Sequence, residues 1–326
     1  MLGKAAGGLF WMFRNLERSE NTSRLVDAGF RMALTRQNES DEEWKSVIST
    51  AGARDAYFEY HEQANYAGVI DFLLRDRRNP SSVINLIENA RNNARLVRTS
   101  LTREVWEATN EAWMGVHDVL AKQVRERDLP EVLGAIRQHS ALVRGALHGT
   151  MLRNEIFDFC RLGTFLERAD NTARIVDVKY YVLLPSVSLV GSSLDNVQWE
   201  SILRSASVLR PYRWVYQGEM SSRSIAEFLI LDRTMPRSLA FCAKKIADNL
   251  GYLEKDYNVR HKCHELSDDL NKRLENVDVE DIFDVGLHQF ISGILTELNG
   301  LGRQIESDFR FHGSCLAEGS TRASEN

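Results

Sequence analysis

Apolar side chains recur with helical spacing from the start of the chain. At 3.6 residues per turn, Trp11, Met12, Leu16, Val26, Phe30, Ala33 and Leu34 fall on one arc, while Arg14, Glu17, Arg18, Glu20, Asn21, Arg24, Asp27 and Arg31 fill the remainder. This predicts one amphipathic helix of roughly 30 residues, ending near Asn38 to Ser40, where Ser40 is placed to N-cap a helix carrying Trp44, Val47 and Ile48. Phe58, Val69, Phe72, Leu73 and Leu74 continue the helical spacing. Asn79-Pro80 then reads as an N-cap followed by proline at the first helical position, launching a helix through Val83, Leu86, Ile87, Ala90, Ala94 and Val97. Pro236 is expected to do the same later, and Pro130 to open the helix that closes the first half. No segment shows the strict alternation of a half-buried strand, so the predicted fold class is all-α, a helical bundle.

The same pattern occurs twice. Segment 17–28, ERSENTSRLVDA, matches segment 167–178, ERADNTARIVDV, at seven of twelve positions, and the other five exchanges are conservative. Segment 71–82 matches 227–238, and the run from Trp44 to Ile48 matches that from Trp199 to Leu203, in the same order along the chain. The expected organisation is two tandem, internally duplicated helical units with a pseudo-two-fold relation, 1–150 and 151–312, able to pack as one domain, followed by a disordered tail at 313–326.

Composition sharpens this reading. The chain has 326 residues, 43% hydrophobic and 27% charged, which suits a folded protein with a substantial core. Only five prolines interrupt it, in keeping with long helices. A net charge of −5 supplies no global basic field for nucleic acid or anionic lipid. Cys160, Cys242, Cys263 and Cys315 have no short regular spacing, which argues against a zinc knuckle or disulfide framework and for a reducing cytoplasm. Ala5 to Phe13 reads as a helix start rather than an export signal, and the apolar stretch Tyr181 to Val190 is short for a bilayer and contains Pro185. No nucleic-acid or membrane partner is expected.

The polar face of the first helix carries the candidate chemistry. Glu20 with Arg24, Asp27 with Arg31, and Asp170 with Arg174 are four apart with the acid first, a spacing worth only about 0.2 to 0.5 kcal/mol on a solvated helix. Yet Glu17, Arg18, Asn21, Arg24 and Asp27 recur as Glu167, Arg168, Asn171, Arg174 and Asp177, while surrounding segments of the two copies differ. Two readings remain open. One is a buried polar network holding the units together, which must then be fully paired. The other is a site where Arg forks grip a carboxylate or phosphate and an acid receives an amine, suited to a peptide or amino-acid-like ligand. Arg91, Arg95 and Arg98 lie on one face of a later helix and either add to an anion cleft or form a solvated stripe. Asp76-Arg77 and Asp232-Arg233 recur before the proline-started helices and read as structural.

Familiar catalytic motifs are absent: there is no H-E-x-x-H, E-x-x-H, G-x-x-x-x-G-K-[ST], G-x-S-x-G or complete G-x-G-x-x-G. His261, Cys263 and His264 read as an exposed helix end more readily than as a metal cluster. Neither a cofactor nor a metal is indicated, and paired carboxylates for acid/base work could be drawn from Glu17 and Glu167, which leaves enzyme status open.

The opening LGKAAGGLFWMFRNLERSENTSRLVD and its second copy, TMLRNEIFDFCRLGTFLERADNTARIVDVKYY, resemble the bacterial alpha-E family, an alpha-helical domain with a Glu-Arg motif, over nearly the whole chain. Two positions depart from the family pattern. Phe13 stands where a glycine is usual before Arg14, and Thr164 replaces the arginine expected after Gly163, which would make the second copy the weaker binder if these positions face a ligand. The resemblance implies partners rather than a mechanism: a circularly permuted ATP-grasp ligase, a transglutaminase-like cysteine peptidase and sometimes a proteasome-like peptidase, in sets resembling peptide synthesis or tagging systems. It implies an accessory role, binding a peptide substrate or scaffolding the ligase. The alternative is a stand-alone amide or peptide transferase or hydrolase using Glu17 or Glu167. The aromatic-rich face of the first helix also favours a homo-oligomer.

Overall fold

The computed structural model describes residues 1, 3–35, 40–182, 193–217 and 220–311. Among these, every regular element is helical: α1 (Gly3–Thr35), α2 (Ser40–Thr50), α3 (Arg54–Phe58), α4 (Tyr66–Leu74), α5 (Val83–Leu96), α6 (Arg103–Val119), α7 (Leu129–Thr150), α8 (Glu155–Val182), α9 (Ser193–Ser205), α10 (Leu209–Tyr216), α11 (Ser222–Ile230), α12 (Leu239–Tyr257), α13 (Lys262–Asn276), α14 (Val279–Val285) and α15 (Leu287–Asp308). No helix among them is long and apolar enough to cross a membrane. The stretch around Pro185 and the tail that includes Cys315 lie outside the described residues.

The two long helices α1 and α8 pack against each other at the centre. Their backbones come close at Gly163, where a Cβ would stand 2.2 Å from the Phe10 carbonyl oxygen. Only glycine lets the two backbones meet there; Phe13, at the matching position of the sequence repeat, is instead a buried core residue. Helices α5, α7 and α9 surround α1, and α12 and α15 surround α8. A single continuous core runs from Leu9, Phe10 and Met12 through Ile87 and Ile136 to Phe159, Ile246 and Ile291.

This arrangement revises the one-sided reading of α1. Leu34, assigned to the apolar arc, is 63% exposed, whereas Glu17, Glu20 and Asn21 on the polar arc are buried. The middle of α1 is enclosed on both faces because its charged groups are matched by charged groups on neighbouring helices.

The proline-marked starts also shift. α5 begins at Val83 after Ser82, and α12 at Leu239 after Ser238, whose hydroxyl accepts from the Phe241 amide at 3.0 Å. Pro80 and Pro236 sit in the preceding turns rather than at the first helical position. Asn79 there donates to the Phe72 carbonyl at 2.9 Å and accepts from the Ser81 amide at 2.9 Å. Asp76 and Asp232 organise these turns by accepting from the amides of Arg78 and Thr234 at 2.9 and 2.7 Å. Pro130 does occupy the first turn of α7. The segment His261 to His264 opens α13 with Lys262 exposed, but Cys263 and His264 are buried, and the His264 Nε2 lies 3.1 Å from the Leu250 carbonyl. Among the described residues no group of three metal-ligating side chains forms.

Candidate functional site

Glu17 and Arg18 are neighbours on α1, as are Glu167 and Arg168 on α8, so each helix presents an acid and a base to the other. The pairing crosses between helices. Arg18 donates to Glu167 through Nε and Nη2 at 2.6 and 2.8 Å. Arg168 donates to Glu17 through the same atoms at 2.8 and 3.0 Å. Both contacts are two-pronged guanidinium–carboxylate forks, the geometry in which charge-assisted hydrogen bonds are strongest. Glu17 and Glu167 are only 1% and 3% exposed.

Further cations complete the clasp. Arg14 donates to Glu167 through Nε at 3.1 Å, and its guanidinium lies 4.8 Å from the Trp11 ring centre. Arg237, in the turn before α12, reaches Glu17 at 3.4 Å, Glu20 at 3.1 Å and the Asn21 Oδ1 at 3.0 Å. Arg144 on α7 hydrogen-bonds Glu20 and lies 3.7 Å from Glu17. Arg24 binds Glu20 through Nη2 at 2.6 Å and also contacts Ser207. Around Glu17 and Glu20, four guanidiniums therefore meet two carboxylates.

The electrostatics follow from this crowding. Burial alone would raise the Glu17 carboxyl pKa, but Arg168 and Arg237 outweigh it and hold the value at about 2. Glu167 is likewise held at about 2, burial being overcome by Arg18 and Arg14. Glu20 is lowered too, by Arg144, Arg237 and Arg24 against burial and the nearby Glu17. Arg237 moves down to about 10, because burial and then Arg168 and Arg24 oppose its charge more than Glu17 and Glu20 favour it.

The remaining sequence candidates divide. Asp170 binds Arg174 at 2.7 Å on α8, at the edge of the clasp. Asn171 is half-buried and stands outside the hydrogen bonds described. Asp177 meets His288 of α15 at 2.6 Å. Arg91, Arg95 and Arg98 are not brought to the clasp. Arg91 lies over Trp113, 4.2 Å from the ring centre, and donates to Asn110 at 2.8 Å; Arg98 lies over Trp106 at 5.1 Å, and Arg95 is exposed. Sequence reasoning missed Arg144 and Arg237. The signal for Arg237 was a charged residue directly after Pro236, where the matching position in the first copy is Ser81. Arg144 offered none beyond its place on a predicted helix.

Cavities border the cluster or adjoin one that does. One of about 260 Å³ between α7 and α8 is lined by Arg144, His148, Arg161, Thr164 and Arg168. A neighbour of about 400 Å³ contains Asp158, Asp248 and Asp256 with Arg153, Arg161, Lys245 and Lys255. Asp158 there is pushed up to about 7, first by burial and then by Asp256, against the pull of Arg161. A third, of about 470 Å³, has Arg24, Arg168 and Arg237 on one wall and the exposed Trp214 and Val215 on the other.

Fold and site together define an all-helical protein whose two central helices are joined by a reciprocal Glu-Arg clasp. The family model Alpha-E, described as a predicted alpha-helical domain with a conserved ER motif, matches residues 1–309, and the chain belongs to that family. The dipeptides Glu17-Arg18 and Glu167-Arg168 fit that description. No curated protein and no solved structure matches the chain.

Proposed function

We propose that this protein is a non-catalytic binding or scaffold component of a peptide-forming system, acting in the cytoplasm beside a circularly permuted ATP-grasp ligase and a transglutaminase-like cysteine peptidase. The observation that carries the reading is the state of the motif carboxylates. Glu17 and Glu167 are each engaged by a guanidinium fork and held ionised at about 2. A general base must exchange protons near the working pH and reach its substrate, and these two groups do neither. The same observation weighs against the stand-alone transferase or hydrolase that would use them.

The clasp also supports reading the chain as a tandem duplication with pseudo-two-fold organisation, since each copy's arginine takes the other copy's glutamate. In this reading the motif fixes the relation between two helical units, and ligand recognition falls to the charged cavities around it. Their mixed charge suits a peptide or amino-acid-like molecule with both an anionic and a cationic end. Copurification from the native cells, with mass-spectrometric identification, tests the role. Recovery of an ATP-grasp ligase or a transglutaminase-like peptidase in stoichiometric amount is expected. Recovery of the protein alone after mild crosslinking, with turnover of a peptide or amide substrate by the isolated chain, overturns it.

A further inference from the structure

The clasp leaves positive charge in excess. Arg24, Arg144, Arg168 and Arg237 surround two carboxylates, and Arg144 and Arg168 also line the cavity between α7 and α8, Arg168 with its Nη1 donating to the Pro236 carbonyl at 3.3 Å. Arg161 lines the same cavity. Its Nε is buried without a hydrogen-bond partner among the described residues. The carboxylates acting on it, Asp158 and Asp248, line the neighbouring cavity rather than this one. Phe157 and Phe165 hold the guanidinium by stacking, at 5.6 and 4.4 Å from their ring centres, and Nη1 lies 3.4 Å from the His148 Nε2. Thr164 adds a hydroxyl to the floor, although it already donates to the Cys160 carbonyl at 3.0 Å and so offers the cavity an acceptor.

A concave space walled by three guanidiniums, one of them with an unused buried N–H, lacks one thing, a negative group that accepts from all three. We infer that the α7–α8 cavity is an oxyanion-binding site, taking a phosphate or carboxylate group between Arg144, Arg161 and Arg168. Its volume of about 260 Å³ admits such a group with a short substituent. The substituent would extend past Arg161, the residue shared with the neighbouring cavity, towards Asp158, Asp248 and Asp256. Thr164 thereby has a role independent of any binding lost with an arginine at its position: a longer cationic side chain there would occupy the cavity. The inference does not depend on a ligase partner, because the charge excess and the unpartnered N–H belong to this chain alone.

The test is calorimetric titration of the full chain at low ionic strength with inorganic phosphate, pyrophosphate, acetate and the dipeptide Ala-Ala as separate arms. Saturable binding of one site per chain is expected, and preference for the phosphates or for the carboxylates identifies which source of oxyanion the site serves. Arg161→Gln, which removes no member of the clasp, weakens that binding by about tenfold or more, as expected for the loss of a charge-assisted contact. Arg223→Gln, an exposed arginine on α11 that lines none of these cavities, leaves it within about twofold, the range of a distant exposed charge. Circular dichroism checks the fold of each variant, and His148→Gln reads the same cavity if Arg161→Gln does not fold, with weakened binding expected. Absence of saturable binding in all four arms overturns the inference. So does equal weakening by Arg223→Gln, which would mark a diffuse surface field, or unchanged binding in the variants of the cavity itself.

Discussion

Arg168 of α8 grips Glu17 of α1 with two parallel hydrogen bonds, 2.8 and 3.0 Å long, across 151 positions of sequence. Because Arg18 grips Glu167 in the same way, the helices are tied twice by contacts of one kind. A buried ion pair is costly to desolvate, so the clasp adds modest net stability but makes the loss of either partner expensive.

Glu17→Ala is therefore expected to destabilise the protein by about 3–5 kcal/mol, by leaving Arg168 and Arg237 without their shared carboxylate. Arg168→Ala should cost a similar amount. Urea denaturation of both single variants and the double variant checks the pairing, and the double variant should lose less than the sum of the two.

Acid should open the clasp. Glu17 and Glu167 lie at about 2 in the folded state against an ordinary 4.5. Their contribution is complete above 4.5, where both folded and unfolded carboxylates are ionised. It is lost as pH falls from 4.5 towards 2, where the unfolded chain binds protons first, at a cost of about 3 kcal/mol per group. Denaturation midpoints at successive pH values should fall as pH drops through that window, and Glu17→Gln should show a shallower dependence on pH.

Asp158 behaves with the opposite sign. Its folded value is raised to about 7 from 3.8, so between these values the folded state holds the extra proton and stability falls as pH rises. Asp158→Asn is expected to stabilise the protein by roughly 2–4 kcal/mol at pH 8, with the advantage gone below pH 4. Thermal melts of the two proteins at both pH values decide it.

Two glycines should respond oppositely to the same substitution. Gly163→Ala drives a methyl group into the Phe10 carbonyl and should cost about 1–3 kcal/mol as α8 is pushed from α1. At Gly134, within α7, nothing lies within 4 Å of the added carbon, and Gly134→Ala should gain about 0.5–1 kcal/mol through helix propensity. Chemical denaturation of both variants reads the difference.

Periodicity alone was enough to place α5, since Val83, Leu86, Ile87, Ala90, Ala94 and Val97 are all buried as their spacing requires. The proline turns misled by a few residues because the serines after Pro80 and Pro236, not the residues before them, stand at the helix starts. The burial of Glu17 and Glu20 was not legible from one helix: a charged face looks the same whether water or another helix covers it. Recurrence of the pair at Glu167-Arg168 was the available hint, and its crossed geometry depends on the meeting of α1 and α8. Arg144 and Arg237 enter from elements distant in sequence, so no local pattern could announce them. Arg91 and Arg98 formed a plausible basic stripe on paper, and the tryptophans of α6 account for two of its three members.

The crossed clasp also constrains how this chain can change over generations. A substitution at Glu17 is judged by Arg168, and one at Glu167 by Arg14 and Arg18, so neither half is free to drift by itself. A chain cut near Thr150 would give two fragments, each holding an acid and a base whose matches were on the other piece. The two central helices are entrenched: because each supplies the other's charge balance, they can be altered or lost only together.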